Sequence, residues 1–292
     1  MNMNKITLIS ILFLTCFSHS SQKVNFDSPE GWAMAFMTSA AQNLGQQPPY
    51  SSDIGDLSIS TEISSIPHLT REQQRVGFSG FKDEDLNKSP VFGKIRLNFG
   101  LPWDLIAEIS WTPPVKIDDS KPEDLWGFAL SRPILDRQNI LVGLRIFMLR
   151  GGAIASVTCS KDIIKFDPYS SQNPVGCLGK SDDEIQMDHD GAELFLSLKN
   201  SSNLSPWISF ASSNLDNSVK INAPLELGRQ ILKVSSKNGT IQTFTLGLNY
   251  KINESWDMNL ASSYTPHDVR RPNDISGNDN FWNFRVGVTF DW

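Results

Sequence analysis

Two-residue alternation recurs through most of the chain, the connections between alternating segments are short and long by turns, and aromatic residues gather at segment ends. Together these three features predict an all-β fold. The predicted architecture is a single antiparallel transmembrane β-barrel of about ten strands, preceded by a short N-terminal helical segment.

The elements are taken in chain order. Lys5 precedes an apolar run of about a dozen residues from Ile6 to Phe17, and the stretch Ser18, His19, Ser20 places small serines at −3 and −1 before Ser21. That pattern predicts a signal peptide over 1–20, since a bilayer-spanning helix needs roughly 20 apolar residues. A lipoprotein anchor on Cys16 is the rival reading, but Phe13 stands where such anchors usually carry Leu. Residues 21–56 are expected to form a periplasmic segment with one short helix. Asp27 or Ser28 is a candidate N-cap, Pro29 suits the first helical position, and Trp32, Phe36 and Met37 would share a face. A packing helix that closes the barrel end and a gating plug are both open for this segment. The barrel is expected over 57–292.

Each strand candidate sets apolar residues on one parity against small or polar ones on the other. Leu57, Ile59 and Ile63 open the series, followed by Ile95, Leu97 and Phe99 against Lys94, Arg96 and Asn98. Trp103 to Trp111, Trp126 to Leu130 and Ile140 to Met148 continue it. Leu194 to Leu198, the weaker Trp207 to Ser213, Phe244 to Tyr250 and Trp256 to Tyr264 come next. Trp282, Phe284, Val286, Val288, Phe290 and Trp292 then fill one parity of the last strand without a break. Connections 100–102, 133–139, 199–205 and 251–255 are short, while 67–90, 114–123, 151–184, 215–239 and 266–280 are longer. This matches short periplasmic turns and long external loops, with both ends of the barrel region on the short-turn side. Seven tryptophans fall at strand ends: Trp103, Trp207, Trp256 and Trp292 beside short turns, Trp111, Trp126 and Trp282 beside long loops. Interfacial girdles predict that clustering.

With these strands in hand, residues 57–292 resemble the Gram-negative outer-membrane β-barrel superfamily. The most specific element is the closing run FWNFRVGVTFDW over 281–292. The resemblance implies that Phe284, Val286, Val288, Phe290 and Trp292 form the signal read by the barrel-assembly machinery, with Trp292 where Phe is usual. More narrowly, the runs GWAMA (31–35), RVGF (75–78), DLNKSPVFG (85–93) and DVRRP (268–272) are similar to a set of proteobacterial outer-membrane proteins, which carries no catalytic residues across.

Bulk properties narrow the function. Net charge is −6 and no basic stripe exists, so nucleic acid is not expected as a partner. Mean hydropathy is −0.25, and a barrel that alternates its lipid-facing residues is compatible with that value. Cys159 and Cys177 are expected to form a disulfide in an exported chain. Lys94, Arg96, Glu108, Arg145, Glu193, Asp257 and Arg285 have inward parity and both signs, so they are expected to compensate one another in a narrow lumen.

The strongest chemical-looking cluster is Asp182, Asp183, Glu184, Asp188, His189 and Asp190. An Asp-His dyad would activate water by general base catalysis. On a strand, however, Asp188 and His189 face opposite sides and cannot pair. A partner from another loop, such as Asp268 near His267, is the remaining route to such a site. His68, His189 and His267 leave a Ser-His pair without a specific signal, and no Gly-rich phosphate loop, nucleophile elbow or calcium-loop motif is present. No cofactor or metal is expected. The chain is read as a monomeric outer-membrane barrel without catalysis, a scaffold or narrow small-solute channel in contact with membrane lipid and lipopolysaccharide. The alternatives are a lipid or peptide hydrolase at the external rim, and a secreted soluble β-sandwich that binds carbohydrate.

Overall fold

The computed structural model describes residues 20–199, 203–237, 239–272 and 279–292. The predicted signal peptide, with Lys5 and Cys16, lies outside them but for Ser20. The elements are β1 (Ser20–Val24), α1 (Pro29–Ala41), β2 (Leu57–Ser65), β3 (Val91–Leu101), β4 (Leu105–Trp111), β5 (Ser120–Asp136), β6 (Ile140–Ala155), β7 (Asp183–Leu198), β8 (Leu204–Leu225), β9 (Gly228–Ser236), β10 (Gly239–Lys251), β11 (Trp256–Thr265) and β12 (Phe281–Asp291). Ten of these strands, β2 to β8 and β10 to β12, close into one antiparallel ring. Closure comes from β12 on β2, in register from Arg285 opposite Ser64 to Asp291 opposite Ser58. The Trp292 N–H also donates to the Leu57 carbonyl at 3.0 Å. At the level of the apolar belt the closed ring leaves no strand edge, which is what a lipid-facing sheet requires, and it excludes the two-sheet sandwich.

Outward residues such as Leu194, Leu196, Phe244, Leu246, Phe284 and Val286 are exposed, whereas their inward neighbours Glu193, Thr243, Thr245, Asn283 and Arg285 are buried. The apolar belt is framed by Trp126 and Trp282 at one end and by Trp103, Trp256 and Trp292 at the other, all exposed. Such a closed barrel with an apolar exterior is an outer-membrane protein. Trp207 departs from the predicted girdle. It is buried in the lumen against Phe195, with ring centroids 5.7 Å apart. Gly247 opens the space, because a Cβ there would collide with the indole.

The expected long loop 215–239 is largely strand. Above Leu215, β8 leaves β10 and pairs with β9 in a hairpin from Ser218 opposite Ser235 to Leu225 opposite Gly228. Strand β1 adds in parallel to the far edge of β9, from Ser20 opposite Leu232 to Val24 opposite Ser236. Val24, Met34 and Val234 pack together there, with Val219, Ile221 and Leu232 against them. The N-terminal strand therefore sits at the long-loop end of the barrel. Strand β2 begins at the short-turn end.

The 32 residues between β1 and β2 make that journey through the lumen. Helix α1 starts as expected, with Ser28 as N-cap accepting from the Gly31 N–H at 3.1 Å and Pro29 at the first position. Its burial is all round, including Trp32, Ala33, Met34, Ala35 and Phe36, because the barrel wall surrounds it. The part of the expected periplasmic segment from Pro29 to Gln47 thus lies in the lumen, with β1 at the long-loop end above it. The cause is its run of polar side chains and free backbone groups after Ala41, which the interior satisfies.

Candidate functional site: the threaded lumen

Beyond Gln42 the backbone is extended at membrane depth, where every N–H and C=O must find a partner inside the protein. The inward parity of the strands supplies them. The Asn43 N–H donates to Nε2 of His189 at 3.1 Å, and the Asn43 carbonyl accepts from Arg145 Nη1 at 2.6 Å. Asn43 Oδ1 accepts from Ser110 Oγ at 3.2 Å and, at 3.5 Å each, from Lys94 Nζ and Arg96 Nη1. Lys94 also reaches the Gln42 carbonyl at 3.0 Å. The Gly45 N–H donates to Glu193 at 2.8 Å, and the Gly45 carbonyl accepts from Arg285 at 2.9 Å. Gln42 is fixed by Ser213 and Thr243, and Asn249 donates to the Gln47 side chain. Gly287 lets the segment pass, since a Cβ there would strike the Gln46 amide.

The charges around this segment form one network. Arg96 lies 3.2 Å from Glu62 and 2.8 Å from Glu108, and Arg145 lies 2.8 Å from Glu108 and 3.5 Å from Glu193. Arg285 meets Glu62 at 3.4 Å. Of the seven inward charges read from sequence, Lys94, Arg96, Glu108, Arg145, Glu193 and Arg285 converge here. Asp257 stands apart, half-buried at the short-turn end. Glu62 is the member that sequence reasoning missed. Its parity on β2, opposite Lys94 on β3, was the available signal.

The network divides the lumen. On the short-turn side lies a polar cavity of about 650 Å³, bordered by Pro48, Tyr50, Asn98, Asn249 and Asp257. At the level of the belt, the void among Ser39, Gln42, Lys94, Thr243 and Arg285 measures about 10 Å³, room for at most a single water. On the long-loop side the interior turns apolar, with Leu125, Leu149, Ala153, Ala155, Ile185 and Met187 buried around Ala41. A cavity of about 310 Å³ at that mouth includes Met34, Phe78, Val219 and Leu232 along with Glu84. Burial lifts the Glu84 carboxyl to about 7, against the pull of the Lys82 ammonium 2.6 Å away.

The acidic cluster on β7 is structural in its contacts. His189 is buried, and its Nδ1 lies 3.0 Å from the Met187 carbonyl while Nε2 accepts from Asn43, so both ring nitrogens are engaged. Asp188 faces the other way, accepting from the Gly151 N–H at 2.9 Å. Asp183 accepts from the N–H groups of Val157, Thr158 and Asn222 and from Ser181 Oγ, which orders the loop beneath the β8–β9 hairpin. That loop holds the Cys159–Cys177 disulfide, with Cα atoms 5.8 Å apart and both residues buried. Ser39 Oγ and His267 Nε2 are 3.0 Å apart, but the Ser39 hydroxyl donates to the Ala35 carbonyl at 2.9 Å. His267 must then donate to Ser39, the reverse of a base activating a nucleophile. Among the described residues, no group of three His, Cys, Asp or Glu side chains is arranged to hold a metal ion.

Neither a protein-family model nor a curated protein sequence matches the chain. Among solved structures it is similar to the outer-membrane protease OmpT from Escherichia coli, with 14% identity, 82% of this chain and 94% of that chain covered, and a TM-score of 0.39. It is also similar to the attachment invasion locus protein Ail of Yersinia pestis, at 10% identity over 82% and 100% of the chains with a TM-score of 0.33. A third likeness is to the toluene transporter TodX of Pseudomonas putida, at 8% identity over 93% and 99% with a TM-score of 0.36. At these scores the likeness transfers neither activity nor residue roles to this chain.

Proposed function

We propose that this outer-membrane protein is a plugged, monomeric scaffold that presents its long loops outward and carries no catalytic step. One observation supports the reading above all others. The luminal segment from Gln42 to Gly45 is bonded through its backbone to side chains of β3, β6, β7 and β12 and through the Gln42 and Asn43 side chains to β4, β8 and β10, with a void of only about 10 Å³ at this level. The belt contacts membrane lipid, the loop rim faces lipopolysaccharide, and the terminal strand is the part the assembly machinery reads. The four runs shared with the proteobacterial set favour kinship there. No observation favours the hydrolase alternative, because the His189 ring is consumed by the plug and His267 donates to a Ser39 hydroxyl that is itself committed to the Ala35 carbonyl.

Planar-bilayer recording tests the plug. The wild type is expected to show no stable conductance steps. Arg145→Ala/Glu193→Ala removes one charge of each sign along with two plug anchors, and is expected to show intermittent steps. A steady open-pore current from the wild type would mean the lumen is wet and the scaffold reading wrong.

A further inference from the structure

The barrel wall has a gap at its long-loop end. Strand β3 pairs with β4 only from Ile95 opposite Trp111 downward, so Val91 to Lys94 are bonded on the β2 side alone. Strand β5 pairs with β4 only as far as Trp126 opposite Trp111, so Lys121 to Glu123 are bonded on the β6 side alone, while Ser120 bridges to Ile117 of the loop. Between these two free edges the wall is loop 112–119, not strand. The gap begins just past the Trp111–Trp126 pair, whose ring centroids lie 6.0 Å apart and which mark the outer interface of the belt.

Behind the gap is a cavity of about 290 Å³. Its inner wall is apolar, formed by Met37 and Ala41 of the luminal helix with Ala155 and Met187 of the barrel. Its outer rim is formed by Ile63, Val91 and Val115, all exposed on the barrel exterior. One space is thus bounded by luminal and lipid-side residues together. The polar groups of the lining are few, Ser89, Thr112, Ser120 and a Lys88 ammonium already paired with Asp85, so a water against Met37, Ala41, Ala155 and Met187 lacks side-chain partners there. The size is at the lower end of the roughly 300–1,000 Å³ usual for small-molecule sites.

We infer that this cavity is a binding site for a single aliphatic chain of an amphiphile, entering sideways through the gap from the outer leaflet and leaving its polar end beside Ser89 and Ser120. The inference stands apart from the plugged-scaffold reading, since the cavity lies on the long-loop side of the charged belt.

The test uses the full mature chain held in amphipol, with N-phenyl-1-naphthylamine as the probe. A saturable rise in probe fluorescence is expected, reversed by decanoate. Ala155→Phe fills the inner wall and is expected to weaken binding at least tenfold. Gly93→Phe obstructs the rim from outside and is expected to do the same. A Cβ at Gly93 meets nothing nearer than the Glu62 carbonyl oxygen at 3.9 Å, so this second variant decides the matter even if Ala155→Phe fails to fold. Absence of saturable binding, or unchanged affinity in Gly93→Phe, would overturn the site. Displacement by toluene but not by decanoate would overturn the assignment to an amphiphile.

Discussion

Asn43 is engaged through every polar atom it has: N–H to His189, carbonyl from Arg145, Oδ1 from Ser110, Lys94 and Arg96, and Nδ2 to the Met148 carbonyl. Asn43→Ala strands several buried donors, and each such loss costs about 1–3 kcal/mol. The variant is expected to unfold at lower urea in heat-modifiable mobility assays. Arg145→Glu should be worse, since it sets a third carboxylate beside Glu108 and Glu193, and breaking a buried pair costs on the order of 3–5 kcal/mol. Asn43→Ala with wild-type unfolding would contradict the plug contacts. A second residue gives a pH signature. Burial holds His267 down at about 4, only partly opposed by the Asp279 carboxylate, against an ordinary value of 6.5. Between those values the unfolded chain binds more protons than the folded one, so stability falls as pH drops from 6.5 towards 4. The loss is on the order of 3 kcal/mol at its fullest. Thermal unfolding of His267→Gln at pH 7 and pH 4.5 should show a smaller difference than the wild type, and an equal difference would refute the assignment.

At the scale of elements, the ten wall strands were legible because lipid contact imposes one apolar parity on each of them. The closing strand shows this most fully, with Phe284 and Trp292 exposed on the belt face and Val288 and Phe290 half-buried against neighbours such as Trp256. Replacing Phe290 and Trp292 with Ser is expected to abolish the heat-modifiable folded form in outer membranes while export continues. Normal folded yield would contradict the role given to this strand. The Cys159–Cys177 pairing was legible for a different reason, the two cysteines left in an exported chain once the predicted signal peptide with Cys16 is set aside. Other features were not legible. Trp207 carried the residue type of a girdle, and only its partner Gly247, forty residues later, shows that it turns inward. Residues 215–239 read as a loop because Glu226, Leu227 and Gly228 interrupt an alternation that continues on both sides, through Val219, Ile221 and Ala223 and then Leu232 and Val234. The plug was hardest. Gln42 to Gln47 looks like a polar linker, and its partners are scattered from Thr61 to Arg285, so no local pattern announces where it goes. The charge parity told that the lumen would be filled, but not by which part of the chain.

For the whole molecule, these contacts give an unusual path. From β1, on the long-loop end, the described chain descends through its own barrel and only then builds the wall, from β2 at the short-turn end to Trp292 beside it. Two different interiors result. A polar half opens towards the short turns, and an apolar half lies under the loops, separated by the charged belt that grips Asn43. The direction of threading is what sets this account apart from a periplasmic N-terminal helix. Single-cysteine labelling of intact cells with a membrane-impermeant maleimide measures it directly. Three exposed positions serve: Lys23 on β1, Leu227 at the tip of the β8–β9 hairpin, and Glu254 in a short turn. Lys23→Cys is expected to label on intact cells as readily as Leu227→Cys, with Glu254→Cys labelling only after lysis. Protection of Lys23→Cys until lysis, with Leu227→Cys still accessible, would place the N-terminal strand on the periplasmic side and contradict the threaded plug.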